Sequence, residues 1–525
     1  MGPALAVADA APKLGIVLAA VSAAGVLLDQ NARRRCLWMA AALVLAAVIL
    51  IGHIADTDQF HSLTDKPLEL TGLAVVAVLA ACLLGATFVR HPGAFPMVVV
   101  GVLPFRVPIE AAGTTTNLLV PLYIVIAAGC GAFAWRAMRT ADADGTPEDP
   151  VRPLSLALAV FVVLYALQSL YSKDFDTALE QVVFFLVPFA LLFALLREVR
   201  WSRDVALGSL AVLAALALVF CAIGFWEYDR RELLWNPKVI TANQFESYFR
   251  VNSVFWDPNV YGRFLALVMI ALAAFMLWNR RTDIALATGA VLAILWGGLV
   301  LTFSQSSFAA LLAGLTVLAA LRWDVRRAIV VAAVALACGA VFAVAFQDTL
   351  KIDLGSEAGL NKVSSGRSDL IRGGADLFAN RPLQGYGSGA FGRAYRSERK
   401  GNQQQAVSAS HTMPITVAAE QGIVGLAAYA AVVVAALYTL FGNTAFRRRQ
   451  ALDGAGPAMG LSVARAALAA MFVALLVHTM AYAAFLEDPF TWVILAAGAS
   501  LAPLASVTGA RVPAPVEQRE PVPAV

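Results

Sequence analysis

The chain has 525 residues, of which 60% are hydrophobic and only 14% are charged. Soluble domains are nearer about 45–50% apolar and about 25% charged, so a cytosolic enzyme, a disordered chain and a secreted disulfide scaffold are excluded. The net charge of +4 is too small to indicate a nucleic-acid partner. We therefore predict an all-α, polytopic membrane protein, a bundle of about 14–15 transmembrane helices embedded in a lipid bilayer.

Apolar segments of roughly 15–25 residues recur along the whole chain, and each is about long enough to cross a bilayer. In chain order, the predicted spans lie near 14–28, 37–54, 69–89, 94–108, 117–137, 153–171, 180–196, 205–227, 259–278, 284–303, 308–322, 328–347, 413–441, 466–486 and 491–508. Of these segments, 94–108 and 491–508 have the weakest span pattern.

Alternate connections between the predicted spans are rich in arginine. Short cytoplasmic loops carry an excess of Lys and Arg, so these connections predict the cytoplasmic side. They contain Arg33, Arg34, Arg35, Arg90, Arg136, Arg139, Arg197, Arg200, Arg203, Arg280, Arg281, Arg322, Arg326, Arg327, Arg447, Arg448 and Arg449. The opposite, extracytoplasmic face receives two long connections, near 228–258 and 348–412.

This pattern divides the chain into five parts. We predict N-terminal membrane helices in 1–93, core membrane helices in 94–347, an extracytoplasmic catalytic loop in 348–412, C-terminal membrane helices in 413–508 and a disordered cytoplasmic tail in 509–525. Basic residues outnumber acidic ones in the loop 348–412. Such a surface suits an anionic substrate, and it is equally compatible with a solvated basic face.

Within that loop, residues 364–382 predict an amphipathic helix that ends at Asn380 and Pro382. At 100° per residue its apolar face would contain Leu370, Ile371, Ala375 and Phe378. Arg367 projects onto this face without a local acid, which favours an anionic ligand there. Arg372 projects onto the opposite face, where Asp369 and Asp376 offer ion-pair partners.

Residues 382–392 contain four glycines, a pattern compatible with a phosphate-binding backbone path or with a simple turn. The next element begins near His411, where Thr412 is a predicted N-cap and Pro414 falls in the first turn. Gly422 and Gly425 would share a face close to His411 and permit close helix packing. His411 could orient or deprotonate a hydroxyl. Glu420 would either bond within the bundle or act as a second acid or base.

The shorter outer connection ends in FRVNSVFWDPNVYGRFLAL (249–267), where Asp257-Pro258-Asn259 predicts a turn that leads into a membrane helix. Arg250 precedes this turn, and Arg263 lies about one turn inside the helix. A charged side chain at that depth faces a cavity, pairs with a partner or extends back to the interface. Arg106, near the outer end of an early span, raises the same question.

These stretches resemble the O-antigen ligase/polymerase family of bacterial membrane glycosyltransferases. The resemblance is carried by SGRSDLIRGGADLFANRPLQGYGSGAFG (365–392), by HTMPITVAAEQGIVG (411–425), by Asp257-Pro258-Asn259 and by LTFSQSSFAALLAG (301–314). Gln305 stands where the family commonly has Arg, and Thr412 replaces the commoner Asn or Ser. Because of these two departures, the resemblance does not decide which arginines contact the substrate or which molecule accepts the glycan.

The resemblance implies a GT-C-like fold that needs no metal, nucleotide or other cofactor. It also implies transfer of a glycan from undecaprenyl pyrophosphate to a glycan, lipid or protein acceptor hydroxyl outside the inner membrane, in polysaccharide biosynthesis at the cell envelope. Under this interpretation His411 and Arg367 are catalytic, and Arg250, Arg263 and Arg372 bind the substrate. Asn259, Gly422 and Gly425 are structural.

Two other functions remain open on the sequence. A transporter or flippase of lipid-linked sugars should show paired halves and charges near the membrane midplane. The chain has no obvious repeat, and its unusual charges fall at one predicted face. A membrane scaffold within an envelope-assembly complex is the third interpretation.

Overall fold

The computed structural model describes residues 3–54, 67–111, 114–139, 152–234, 239–240, 243, 249–323, 325–330, 332–334, 337, 367–398, 410–442, 457–482 and 484–507. Within these ranges, the side chains of 3–9, 54, 107–111, 114–117, 367–368, 457–460 and 502–507 lie outside the description. The predicted tail, most of the predicted span 328–347 and much of the loop 348–412 therefore lie outside the described residues.

The described chain is built from helices joined by short connections. The first half contains α1 (Pro3–Leu28), α2 (Ala32–Ile54), α3 (Pro67–Arg90), α4 (Ala94–Val102), α5 (Val120–Arg139), α6 (Arg152–Ser169), α7 (Phe175–Glu180), α8 (Val187–Arg197) and α9 (Arg203–Arg230). A π-helical segment, Gln181–Leu186, joins α7 to α8. The second half contains α10 (Pro258–Trp278), α11 (Thr282–Leu301), α12 (Gln305–Arg322), α13 (Arg367–Asn380), α14 (Phe391–Glu398), α15 (Met413–Phe441), α16 (Pro457–Thr479) and α17 (Pro489–Val507).

Twelve helices among the described residues are long and apolar enough to cross a membrane. This confirms the predicted all-α, polytopic membrane fold. Helix α17 coincides with the predicted span 491–508, but its described apolar part, Pro489–Leu501, is shorter than the twelve candidate spans, so this span stays a prediction.

The predicted span 94–108 is wrong. Helix α4 has nine residues, which at 1.5 Å per residue reach only about half-way across a bilayer. Pro104 follows it and cannot donate the backbone hydrogen bond that would continue the helix. The chain then forms a hairpin in which β1 (Val107–Ala111) pairs antiparallel with β2 (Thr114–Leu118).

The core of the bundle lies around α8 and α10. In the Phe175–Arg197 span, 78% of the apolar window is buried, and in α10 the fraction is 72%, compared with 6% in α3. Helix α10 is apolar on every side (PNVYGRFLALVMIALAAFMLW), which is the pattern of a helix enclosed by others. The polar residues at its first turn therefore lie at the end of a helix that other helices enclose.

Contacts between connections define two ends of the bundle. At one end, Arg35 in the first turn of α2 pairs with Glu198 at 2.7 Å, just after α8. At the other end, Thr412 Oγ1 donates to the Met480 carbonyl at 2.9 Å, and Ser172 Oγ donates to the Ser388 carbonyl at 2.7 Å. Two of the arginine-rich connections, the one before α2 and the one after α8, thus meet at the first end.

Candidate functional site

The start of α10 is a polar hub. Asp257 is the N-cap, and its carboxylate accepts a hydrogen bond of 2.6 Å from the Asn259 backbone N–H. Pro258 occupies the first turn, where its missing N–H costs nothing. This confirms the predicted turn. Asn259 Oδ1 accepts from Arg250 Nη2 at 3.2 Å and from Ser304 Oγ at 2.9 Å, so Asn259 links three segments.

Arg250 is fixed in place by the protein. Its Nε donates to the Thr302 carbonyl at 2.9 Å, and its backbone exchanges two hydrogen bonds with the Asn243 amide. These contacts leave Nη1 without a partner among the described residues, and the side chain is partly exposed. An arginine oriented in this way is suited to an anionic ligand.

A chain of hydroxyl groups leads from Asn259 to a second histidine. Ser304 Oγ lies 3.2 Å from Ser306 Oγ, and Ser306 Oγ lies 3.1 Å from His478 Nε2. His478 is fully buried, and its ring centroid is 5.6 Å from that of Tyr482. The sequence analysis did not select His478, because nothing near it in the sequence is polar enough to suggest a site.

His411 lies immediately before α15 and beside the same tyrosine. The two ring centroids, of His411 and Tyr482, are 6.4 Å apart. Thr412 is the N-cap residue, as predicted, and Pro414 lies in the first turn. The Thr412 hydroxyl does not cap the helix, and instead its bond to the Met480 carbonyl fixes the His411 connection against the Tyr482 connection.

His411 has a backbone φ of +60°. Non-glycine residues rarely adopt this conformation, and such residues are concentrated at functional sites. The other described examples are Arg231, Ser253 and Phe303, and all follow helices or precede α10 at the same end of the bundle. Arg231 is the left-handed C-cap of α9, so the described non-glycine residues with positive φ outside a helix cap are Ser253, Phe303 and His411.

Arg263 does not extend back to the interface. It is 3% exposed, and its Nη2 lies 2.7 Å from Asp488 Oδ2, with Asp488 1% exposed. Its Nη1 donates to the Ala484 carbonyl at 3.3 Å, and its Cζ lies 5.9 Å from the Tyr482 ring centroid. The partner that the sequence could not identify is Asp488, 225 positions away by the difference of the two residue numbers.

We call the seven residues around this ring the Tyr482 cluster: Arg106, Arg263, His411, His478, Tyr482, Glu487 and Asp488. Arg106 is close enough to Asp488, Arg263 and Tyr482 for electrostatic interaction, and burial lowers the pKa of its guanidinium. Among the described residues Arg106 makes no hydrogen bond or ion pair. Burial raises the pKa of Glu487 to about 7, although Arg263 and Arg106 act in the opposite direction.

Residues 382–390, the glycine loop, pack against a kink in α15. Gly422 has φ +64° and ψ −162° within that helix, and a Cβ there would lie 2.3 Å from the Leu383 carbonyl oxygen. The Ile423 backbone N–H, released by the kink, donates to the Pro382 carbonyl at 2.8 Å. Gly422 therefore admits the glycine loop, whereas the sequence predicted helix-to-helix packing.

Glu420 completes this contact. Its carboxylate accepts from the backbone N–H groups of Gly389 at 2.9 Å and Phe391 at 3.1 Å, and its carbonyl accepts from Gly387 at 2.8 Å. Of the two roles predicted for Glu420, the structure shows bonding within the protein. The same bonds occupy N–H groups that the sequence suggested as a phosphate-binding path.

Gly425 accommodates the preceding turn of its own helix. A Cβ at this position would lie 2.1 Å from the Gln421 Cβ and 2.5 Å from its Oε1. Gln421 is 1% exposed, and its backbone carbonyl accepts from Gln168 Nε2 at 3.0 Å. The expected contact between Gly425 and another helix is thus replaced by space for Gln421.

Helix α13 is present and ends at Asn380, as predicted, but its buried face differs from the prediction. Ile371 and Ala375 are exposed, whereas Gly373, Gly374 and Leu377 are buried. Cβ atoms at Gly373 and Gly374 would meet Tyr395 and Ile415, at 2.3 and 2.5 Å. The helix packs through its glycines, a property that a hydrophobicity pattern does not register. Arg372 is exposed. The Arg367 side chain lies outside the described side chains.

Among the described residues, no group of three or more His, Cys, Asp or Glu side chains is arranged to hold a metal ion. Sequence reasoning selected His411, Arg250, Arg263 and Asn259, and the structure brings all four to one end of the bundle. It missed His478, Tyr482, Glu487 and Asp488. Glu487 and Asp488 could have been found from the sequence, because they form an acidic pair immediately before an apolar segment, at the predicted outer boundary of the membrane.

The fold and the site define a multi-pass helical membrane protein that gathers arginines, histidines and carboxylates around one tyrosine at one end of the described bundle. Residues 290–430, from within α11 to within α15, match the family described as O-antigen ligase. This match confirms the resemblance and includes Arg367 and His411. It supports a glycan-transferring ligase role, with glycan or lipid-linked substrates at a membrane. No curated protein matches the chain significantly.

Proposed function

We propose that the protein is a glycosyltransferase that moves a glycan from undecaprenyl pyrophosphate to an acceptor hydroxyl outside the cytoplasmic membrane, without a metal ion. In this proposal it acts as an O-antigen or exopolysaccharide ligase or polymerase. The observation that carries the proposal is that His411 and Arg263, from distant parts of the chain, lie against the same Tyr482 ring.

The leaving group in such a transfer is a lipid-anchored diphosphate, which needs fixed cations in a site that excludes water. Arginine suits phosphate oxygens because its planar fork makes two parallel hydrogen bonds. Arg250 and Arg106 retain donor groups without partners among the described residues, and both lie at the same end as Arg263. We assign the diphosphate to these arginines, together with Arg367 and the exposed Arg372 from α13.

His411 is placed to act on the acceptor. Its imidazole would orient or deprotonate the incoming hydroxyl, while the first turn of α15 adds the partial positive charge of a helix N-terminus. The polar network from Arg250 through Asn259 and Ser304 to His478 would hold the donor and acceptor sides in a fixed relation.

The test is the glycan product of a deletion strain complemented with His411→Ala. Loss of a catalytic histidine should lower transfer by about 10²–10⁴-fold. His91→Ala is a matched control, because His91 is exposed at the opposite end of the bundle. Equal glycan attachment by the His411 variant and the control, at equal membrane levels, would contradict the proposal. Lipid-linked sugar crossing vesicles without transfer would favour a flippase.

A further inference from the structure

A line of hydrogen bonds joins the buried His478 of α16 to Arg250, beside the start of α10. Ser306 Oγ lies 3.1 Å from His478 Nε2 and 3.2 Å from Ser304 Oγ. Ser304 Oγ lies 2.9 Å from Asn259 Oδ1, which also accepts from Arg250 Nη2 at 3.2 Å. His478, Ser304 and Ser306 are at most 2% exposed, so a bond lost here leaves a buried polar atom unsatisfied.

The guanidinium at one end of this line sets the direction of its bonds. An arginine side chain can only donate, so the Asn259 atom that faces Arg250 must be the amide oxygen. That oxygen can only accept, so the Ser304 hydroxyl donates its proton to Asn259. A hydrogen bond between the two serines then requires that Ser306 donates its proton to Ser304.

The same reasoning reaches the imidazole ring. A serine hydroxyl has one proton, and Ser306 gives it to Ser304, so His478 Nε2 must carry a proton and donate it. In the opposite arrangement Ser306 would donate to the ring, and no proton would lie between two buried serine oxygens 3.2 Å apart. Ser307 Oγ can donate to a second lone pair of Ser304, at 2.8 Å, or to the Asn259 carbonyl, at 3.4 Å, and neither bond changes this direction.

His478 lies between the two sides of the site. Its ring centroid is 5.6 Å from that of Tyr482, and the same tyrosine ring is 6.4 Å from His411. In the other direction the line of bonds ends on Arg250, whose Nε also donates to the Thr302 carbonyl at 2.9 Å. Two hydrogen bonds, from Nε and from Nη2, therefore hold the plane of this guanidinium, and the second depends on the line from His478.

We infer that His478 is a positioning residue of the transfer reaction, an assignment that rests on the proposed function. It donates its Nε2 proton to Ser306, and through the two serines and Asn259 it holds the Arg250 guanidinium in the orientation that binds the diphosphate. His478 takes no proton from the acceptor and touches neither substrate. The site requires a fixed N–H group from it, because each hydroxyl in the line can donate in only one direction.

The first test compares three variants of the full-length protein, purified in detergent and supplied with an undecaprenyl-pyrophosphate-linked glycan. His478→Leu removes the N–H group, so kcat/KM for the glycan should fall by about 10–100-fold. His478→Gln places an amide N–H near the position of Nε2 and should stay within about threefold of the wild type. His478→Asn carries the same amide one methylene short of Ser306 and should resemble the leucine variant. Folded His478→Gln as impaired as His478→Leu overturns the inference, as does near-wild-type kcat/KM in His478→Leu.

If His478→Leu does not fold, Ser306→Ala is read instead, because it interrupts the same line by removing a single oxygen. It should lower kcat/KM by about tenfold or more. Ser209→Ala is the matched control and should stay within about twofold. Ser209 is also a buried serine, and its hydroxyl donates to the Val205 carbonyl of its own helix at 2.8 Å. Equal kcat/KM in the two serine variants overturns the inference.

A second measurement does not depend on activity. The chain has five histidines, so the ¹⁵N NMR signals of His478 in histidine-labelled protein can be assigned as those that His478→Gln removes. We expect a proton on Nε2, and an unprotonated Nε2 overturns the inference whatever the activity. Absence of transfer by the wild-type protein, with Nε2 protonated, rejects the proposed function and the role of His478 in it, while the direction of the bonds stands.

Discussion

The glycine loop and the Tyr482 cluster lie at the same end of the bundle and use the same kinds of groups in opposite ways. In the glycine loop, the carboxylate of Glu420 and the carbonyls around it bond to backbone N–H groups, and glycines allow the backbones to touch. In the Tyr482 cluster, Glu487, Arg106 and the Tyr482 hydroxyl have no hydrogen-bond partner among the described residues.

The glycine loop therefore has its polar groups bonded within the protein, whereas the Tyr482 cluster contains polar groups that lack a protein partner in the described part of the chain. A buried polar network whose members are satisfied is rigid and specifies one arrangement, whereas partly exposed polar groups without protein partners are accessible to water or to a ligand. The kinked helix α15 joins the two regions, since it carries Glu420 and Gly422 in its early turns and begins directly after His411. The glycine loop therefore anchors the early part of the helix that follows His411, whereas the Tyr482 cluster lies beside the histidine itself.

The largest effect on the glycine loop should come from Gly422→Ala. Alanine is strained at φ +64°, and its Cβ would meet the Leu383 backbone, so we expect a loss of more than about 3 kcal/mol and little folded protein. The measurement is thermal unfolding in detergent. Gly131→Ala in α5 is the control, since nothing lies within 4 Å of its Cβ position. Equal unfolding temperatures for the two variants would show that the kink is not required.

In the Tyr482 cluster, Asp488→Asn should destabilise by about 3–5 kcal/mol, because it leaves the buried charge of Arg263 without its partner. The double variant Arg263→Gln with Asp488→Asn removes both charges and should recover most of that stability. Denaturation of both variants measures the coupling. If the double variant is as unstable as the single one, the ion pair is not what holds α10 to the connection before α17.

The smallest of these effects should come from Glu420→Gln. The amide oxygen can replace one acceptor, but the amide nitrogen would face a backbone N–H, so we expect a loss of about 1–3 kcal/mol. Glu398→Gln on the outer surface should change stability by less than about 0.5 kcal/mol. A Glu420 variant that is as stable as the Glu398 variant, yet inactive, would move Glu420 from the structural to the catalytic set.

Much of the fold could be predicted because a bilayer imposes a length and a composition on each span. Helices α10 and α15 were anticipated within a few residues, and the turn Asp257-Pro258-Asn259 was predicted from cap chemistry. The span at 94–108 failed because hydrophobicity alone does not register Pro104, which ends α4 after half a crossing. The prediction of the buried face of α13 was wrong because Gly373 and Gly374 pack closely beside Leu377, and a hydrophobicity pattern does not register glycine contacts.

The candidate site could be predicted only in part. His411, Arg250 and Arg263 were identified because polar residues at the boundary of an apolar span stand out in the linear sequence. His478 and Tyr482 were missed because an isolated polar or aromatic residue near the end of a span is ordinary in sequence. Their significance comes from distances to His411 and Ser306 that exist only after the helices assemble.

The sequence by itself determined that this chain crosses a membrane many times and where cationic and imidazole groups lie at the boundaries of apolar segments, because these features follow from the hydrophobicity, charge and cap preference of local segments. The tertiary structure decided which of those groups are already engaged. Arg263 pairs with Asp488, which is 225 positions away by the difference of the two residue numbers. The Glu420 carboxylate accepts hydrogen bonds from the backbone of the glycine loop. Hydrogen bonds act over about 3 Å, so only the assembled bundle distinguishes a satisfied carboxylate from one that still lacks a donor.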